Sequence, residues 1–373
     1  MIIFWKNRIK KGSLKDLIIH LVPAILVISL FEIIAIEVYL NTPIHDSKIK
    51  FFVWRSAQAV GGFILGYLSD KFCRKKILVI TQILGVLILP LLLWQNFAVF
   101  PLFLIGFFFN PSPVARAALI DNFPKESKAK LIAITYIAQF IPWCFYLTIK
   151  GFSSPEILMA ALVTLVVNAA ISWLFFEDRK DKRQEHHPEI TQNFIHKKSS
   201  KRAFYTLSAL FPGQLVFFIS DTFFENLTSN AGLFSALGIG SLIGVLVGIF
   251  YRKIPHLSLL TFCFGIGVLL SVVPLITNYL VPDLNIDLPY QLMLFSNLGG
   301  FYLPFVFDVV LSATSANYRG TACGIIDLII ALSSIIGVSI VIFFNPSEPL
   351  ILLMNIILFI SATVIQKKGE KHA

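Results

Sequence analysis

Gly66-Tyr67-Leu68-Ser69-Asp70-Lys71-Phe72-Cys73-Arg74-Lys75-Lys76 ends one long apolar run and begins another. Lys71, Arg74, Lys75 and Lys76 are the kind of charges that hold a loop on one side of a membrane. Asp70 is not, because acidic residues contribute little to that bias. Asp70 and Arg74 are four apart and can pair if the segment is helical.

The rest of the chain has the same apolar character. It has 373 residues, 56% hydrophobic and 14% charged, with a mean hydropathy of +0.79. A soluble domain carries about 25% charged residues. This composition excludes intrinsic disorder, collagen-like repeats and a disulfide scaffold. The net charge of +10 falls in short basic clusters between apolar runs, which fits a membrane and no nucleic acid. Cys73, Cys144, Cys263 and Cys323 show no paired spacing, so neither a disulfide framework nor a metal site is expected. The first apolar run, from near Leu17, is too long for the core of a cleavable signal.

A spanning helix takes about 20 apolar residues. On that measure the first half predicts Leu17–Leu40, Phe51–Ser69, Ile77–Trp94, Phe97–Ile120, Leu131–Thr148 and Ile157–Phe176. The second half predicts Phe204–Leu227, Ala231–Tyr251, Ser258–Asn278, Leu288–Thr314, Thr321–Phe344 and Leu350–Ile365. With both termini in the cytoplasm, 26 of the 31 Lys and Arg residues lie in cytoplasmic segments. Only Lys48, Lys50 and Lys150 lie in outer loops, and Arg55 and Arg116 lie inside spans. A wrong count of spans would scramble that split.

One polar segment, 177–203, divides the spans six and six. It predicts a first bundle over 1–176, a cytoplasmic linker, and a second bundle over 204–373. Its His186, His187 and His196 read as solvated linker residues. Gly62 and Gly66 in span 2 are echoed by Gly240, Gly244 and Gly248 in span 8. Small residues at this spacing allow close helix approach, and two parallel repeats of six spans fit a transporter.

The quoted loop resembles the signature between spans 2 and 3 of the major facilitator superfamily, departing from it at Cys73, where the family has Gly. The resemblance implies an all-α polytopic membrane protein with twelve transmembrane helices in two six-helix bundles. It also implies that Gly66, Asp70, Arg74 and Asp121 form a conformational latch on the inner face. The start of span 11, near Thr321, would offer Asp70 a helix dipole. At the matching site of the second half, Gly248 is followed by Tyr251-Arg252-Lys253 without an aspartate.

Ionisable residues inside spans are costly and point to function. The candidates for a proton or substrate site are Glu32, Arg116, Asp221, Glu225, Asp308 and Asp327, with Glu37 and Arg55 expected to form a structural ion pair. Glu32 lies ~22 Å into span 1 at 1.5 Å per residue, a depth at which transporter sites are built. Glu32 with Arg116 resembles the span 1 acid and span 4 arginine of proton-coupled family members. Asp221 and Glu225 share one face of span 7, where they can hold a proton or a cation. Gln58, Gln82, Gln139, Asn168, Gln214 and Asn297 are further polar groups in spans, and Trp143 and Tyr302 offer aromatic faces to a cation. Asn110-Pro111-Ser112-Pro113, Pro142, Gly299-Gly300 and Pro304 predict bends.

Six intramembrane acids against two bases favour protons and a cationic or zwitterionic solute over a phosphate-like one. The overall pattern resembles bacterial metabolite–proton symporters. That implies an inner-membrane carrier, working as a monomer in the bilayer, for a small polar solute of amino acid or osmolyte type. A proton-antiport exporter of drugs, siderophores or other amphiphiles is the alternative. Such exporters carry a Gly-Pro-rich span 5, and here Leu131–Thr148 holds Pro142 but no glycine. No nucleotide-binding loop, His-Glu-x-x-His motif or catalytic cluster is present, so no enzyme activity, cofactor or metal is expected.

Overall fold

In a computed structural model, the chain is described over residues 13–40, 44–93, 99–122, 128–145, 154–176, 200–227, 232–250, 256–280 and 288–371. The first six spans correspond to α1 (Ser13–Leu40), α2 (Ile44–Lys71), α3 (Arg74–Ile88), a broken α4, α5 (Lys128–Cys144) and α6 (Ser154–Phe175). The second six correspond to α7 (Ser200–Leu227), α8 (Gly232–Phe250), α9 (His256–Leu280), α10 (Leu288–Ala313), α11 (Arg319–Phe344) and α12 (Glu348–Glu370). Several helices outrun the apolar runs that predict them. Thus α2 begins at Ile44 and α12 ends at Glu370, because helical backbone bonding does not stop where apolar side chains do.

Seven of these helices are long and apolar enough to cross a membrane, among the described residues. Their outer faces carry large apolar side chains, such as Leu87, Trp173, Leu174, Phe343 and Phe344, the last two 80% and 78% exposed. A soluble protein would not leave such a surface uncovered. The α11 helix stops at Asn345, whose φ of 40° is left-handed and whose N–H still reaches the Val341 carbonyl. Asn tolerates that conformation, and Pro346 then prevents the helix from continuing.

Span 4 is two helices, α4a (Val99–Phe108) and α4b (Ser112–Asn122). Pro111 disfavours helical backbone at Asn110. The buried Asn110 side chain donates to the Gln58 carbonyl at 3.0 Å, fastening the break to α2. Irregular backbone is tolerated at membrane depth when it is buried in protein. The break leaves Arg116 near the start of α4b, facing inward.

Within the first six spans, α1 packs on α4b, α5 and α6, α2 on α4a, and α3 on α6. Within the last six, α8 packs on α10, while α7 and α9 both pack on α12. Across them, α2 meets α11, α5 meets α8 and α10, and α4b meets α11. One apolar cluster draws only on the first six spans. A second centres on the last six and takes in Ala117, Ile120, Ile132, Ala133 and Tyr136, and a small third joins α7, α11 and α12.

The α2–α11 contact depends on glycine. A Cβ on Gly66 would collide with the Gly320 carbonyl oxygen, and one on Gly320 with Ser69 Oγ and the Gly66 carbonyl oxygen. Both colliding partners include backbone, which cannot swing aside. Gly66→Leu is therefore expected to lower stability by about 1–3 kcal/mol, the usual cost of overpacking. Thermal unfolding in detergent, compared with wild type, measures it.

Candidate functional site

Two buried charge clusters lie in the region where the halves meet. The first is at the end of the bundle that carries Asp70. There α2 ends at Lys71 and α3 begins at Arg74. Cys73 takes φ −68° and ψ 126°, extended backbone open to any residue. The departure from glycine at this position therefore needs no special turn.

Asp70 makes contacts in two directions. Its Oδ1 accepts from Arg74 Nη2 at 3.0 Å and from the Gly320 N–H at 2.9 Å. Its Oδ2 accepts from the Thr321 N–H and from Thr321 Oγ1, both at 2.6 Å. The carboxylate thus caps the first turn of α11, where unpaired N–H groups and the helix dipole favour a negative charge. Arg74, 1% exposed, also sets Nε 2.7 Å from Asp121 Oδ2. Arg319 donates from Nη1 to Asp121 Oδ1 at 2.7 Å. The chain of contacts therefore runs from α11 through α2, α3 and α4b and back to α11.

The second cluster lies deeper, around Arg116, which is 2% exposed. Arg116 donates from Nε to Thr135 Oγ1 at 3.3 Å and from Nη2 to Gln139 Oε1 at 2.8 Å, both on α5. Its Nη1 crosses to Asp327 Oδ1 on α11 at 3.0 Å. The guanidinium also lies over Tyr136 and Phe307, 4.5 and 5.1 Å from the ring centroids. These faces add cation–π attraction in a dry setting.

Glu32 on α1 belongs to the same region. Its Oε2 accepts from Trp143 Nε1 at 3.0 Å, and Gln139 lies beside it. Gln139 thus adjoins both Glu32 and Arg116. The charges of Arg55 and Arg116 both reach Glu32. Nearby, Gln214 and the buried Tyr302 hydrogen-bond between α7 and α10.

The structure thus brings together Glu32, Arg116 and Asp327, and separately Gly66, Asp70, Arg74 and Asp121. Asp308 is half-buried on α10. Asp221 and Glu225 lie in the last turns of α7, and their side chains fall outside the described residues. So do the linker histidines, residues 251–255 and the side chain of Asn297. Arg55 donates to Gln58 Oε1 at 2.8 Å, and Glu37 is buried on α1. Gln82 and Asn168 bond each other and, respectively, Ser172 Oγ and the Pro23 carbonyl, tying α1, α3 and α6 together. Thr135, Tyr136, Phe307 and Arg319 are members of the clusters that the sequence did not single out.

The chain belongs to the major facilitator superfamily, whose profile matches residues 26–338. It is a transmembrane transporter of that class, acting on small-molecule solutes in the lipid bilayer. No curated protein matches it by sequence. Its fold is similar to that of the human organic anion transporter MFSD10 (TM-score 0.72, 11% identity, covering 94% of this chain and 99% of that one). It is also similar to the E. coli fucose:proton symporter FucP (0.64, 14%, 94% and 99%). A third likeness is to a bacterial homologue of the iron transporter ferroportin in an outward-facing state (0.69, 10%, 95% and 98%). At these identities the likeness is one of fold.

Removing Asp70 would leave Arg74 with one of its two ionic partners, Asp121, and two N–H groups of α11 without their carboxylate. Breaking one side of a buried pair costs about 3–5 kcal/mol. Asp70→Ala is expected to unfold at markedly lower temperature than Lys71→Ala in the same detergent.

Proposed function

We propose that this chain is a proton-coupled symporter of a small polar cationic or zwitterionic solute, of amino acid or osmolyte type. The observation that carries this reading is a carboxylate, Glu32, buried deep in the bundle against a neutral donor. Glu32 and Asp327 lie with Arg116 in this region, and the charge of Arg55 also reaches Glu32. Arg116 is ion-paired to Asp327, while Glu32 accepts a hydrogen bond from the neutral indole of Trp143. A carboxylate so placed is costly until a proton or a solute cation joins it.

The cluster around Asp70 acts as the latch in this reading. Closing α11 against α2, α3 and α4b shuts that end of the bundle and leaves the Arg116 region approachable from the other end. The basic loops support a cytoplasmic side for the shut end and both termini, in a bacterial inner membrane on this reading. The form described is then outward-facing. The chain divides into a bundle over 1–176, a linker over 177–203 and a bundle over 204–373, which rock against each other in a single monomer. Asp221, Glu225 and Asp308 are candidates for the path between cluster and solvent.

The test is proton movement in proteoliposomes holding a pH-sensitive dye, challenged with pools of amino acids and osmolytes. Wild type is expected to give a solute-evoked proton flux, and Glu32→Gln to lose it by about tenfold or more, the scale of a removed proton-transfer group. Solute uptake without proton flux, unchanged in Glu32→Gln, would reject the coupling.

A further inference from the structure

Glu32 on α1 and Arg55 on α2 carry opposite charges, and the charge of Arg55 reaches Glu32. Each has a neutral hydrogen-bond partner. Glu32 accepts from the Trp143 indole at 3.0 Å, and Arg55 donates from Nη1 to Gln58 Oε1 at 2.8 Å. The second half borders both positions. The Arg55 guanidinium carbon lies 5.9 Å from the centre of the Phe218 ring on α7. The Trp143 backbone lies so close to Gly238 on α8 that a Cβ there would meet the Trp143 carbonyl carbon at 2.7 Å. Counted from the span ends at Leu40 and Phe51, at 1.5 Å per residue, Arg55 lies ~6 Å nearer that end than Glu32. One small solute can bridge such a rise.

We propose that Glu32 and Arg55 form a clamp for a zwitterion, Glu32 taking its ammonium and Arg55 its carboxylate, with Trp143 and Phe218 as aromatic walls. The clamp rests on the carrier reading above and narrows its solute from cationic or zwitterionic to zwitterionic. Charge balance makes the choice. Glu32 and Arg55 cancel, and so do Arg116 and Asp327. A zwitterion adds no net charge to the bundle. A cation adds one, in a setting where an unanswered charge is costly. Each ion also exchanges a neutral partner for an opposite charge, which adds Coulomb attraction where water is scarce. A guanidinium matches a carboxylate with two parallel N–H groups. The indole, released from Glu32, offers its face to the ammonium.

The neighbouring groups fix where each charge is presented. Asn110 donates to the Gln58 carbonyl at 3.0 Å, so Arg55 stands on a turn of α2 that is fastened to the break in span 4. Glu37 is buried on α1 five residues beyond Glu32, hence about 140° further round the helix. It therefore does not share the face of α1 that meets Trp143. Phe218 and Gly238 belong to the second half and Glu32, Arg55 and Trp143 to the first, so the clamped solute sits where the halves meet, the position a carrier uses for its site.

The experiment measures binding to the full chain in detergent, read as the concentration dependence of thermal stabilisation. The probes are the standard L-amino acids, β-alanine, γ-aminobutyrate and glycine betaine. Each one that stabilises is compared with its amine, which lacks the carboxylate, and its acid, which lacks the ammonium. A zwitterion is expected to bind, and either truncation to weaken it about tenfold or more, the scale of one lost charged hydrogen bond. Arg55→Gln should weaken the zwitterion as much and leave the affinity of the amine unchanged. Glu32→Gln should weaken the zwitterion and leave that of the acid unchanged. Arg55→Lys, which keeps the charge, should restore part of the binding and show that α2 tolerates replacement. An amine that binds as tightly as its zwitterion, or an Arg55→Gln loss shared equally by both, would overturn the clamp. So would the absence of binding by every probe. Proton flux evoked by some other solute, with no probe bound, would reject the clamp and keep the symporter reading. A zwitterion bound through both residues but evoking no proton flux would support the clamp and reject proton symport.

Discussion

A charge inside an apolar bundle must be answered by a partner on another helix, and this requirement governs the molecule. Water is scarce there, so an unanswered ion is costly. The chain meets it with two sets of cross-helix ion pairs placed where its halves meet. Asp70, Arg74, Asp121 and Arg319 bind α2, α3, α4b and α11 at one end. Arg116 binds α4b, α5 and α11 deeper in the bundle. The apolar surfaces elsewhere fill space but do not choose between conformations. Ion pairs that cross a movable interface do, because each must be kept, exchanged or neutralised when the interface opens.

Backbone geometry sets up both clusters. Gly66 and Gly320 let α2 and α11 approach until Asp70 reaches the first N–H groups of α11. The break at Asn110-Pro111 turns span 4 so that Arg116 enters the space against α5 and α11. A continuous helix over 97–120 would have spread those residues around an unbroken cylinder. Small local choices of glycine and proline thus decide which long-range charges meet.

The fold was legible because a membrane simplifies sequence. Apolar runs mark the helices and basic residues mark their sides, so twelve spans could be counted without any contact. The grouping around Asp70 was legible for a similar reason: Asp70 and Arg74 are one helical turn apart, and Asp121 closes a span at the same level. Arg319 was not singled out, since one arginine in a short loop looks like any charge that sets topology. The pairing of Arg116 with Asp327 was out of reach. They are 211 residues apart, and any intramembrane acid could have answered the arginine. Only the packing of α4b on α11 decides between them. The departure from glycine at Cys73 costs the loop nothing, because its backbone is ordinary.

The central claim is that the chain carries a solute by exposing one site to each side in turn. Counterflow tests it most directly. Proteoliposomes are loaded with an unlabelled amino acid or osmolyte pool, diluted, and given a trace of the same solute labelled outside. A carrier that returns loaded predicts transient uptake of label above equilibrium, followed by decay. Label that only rises to equilibrium, or never enters with any pool, would contradict the account.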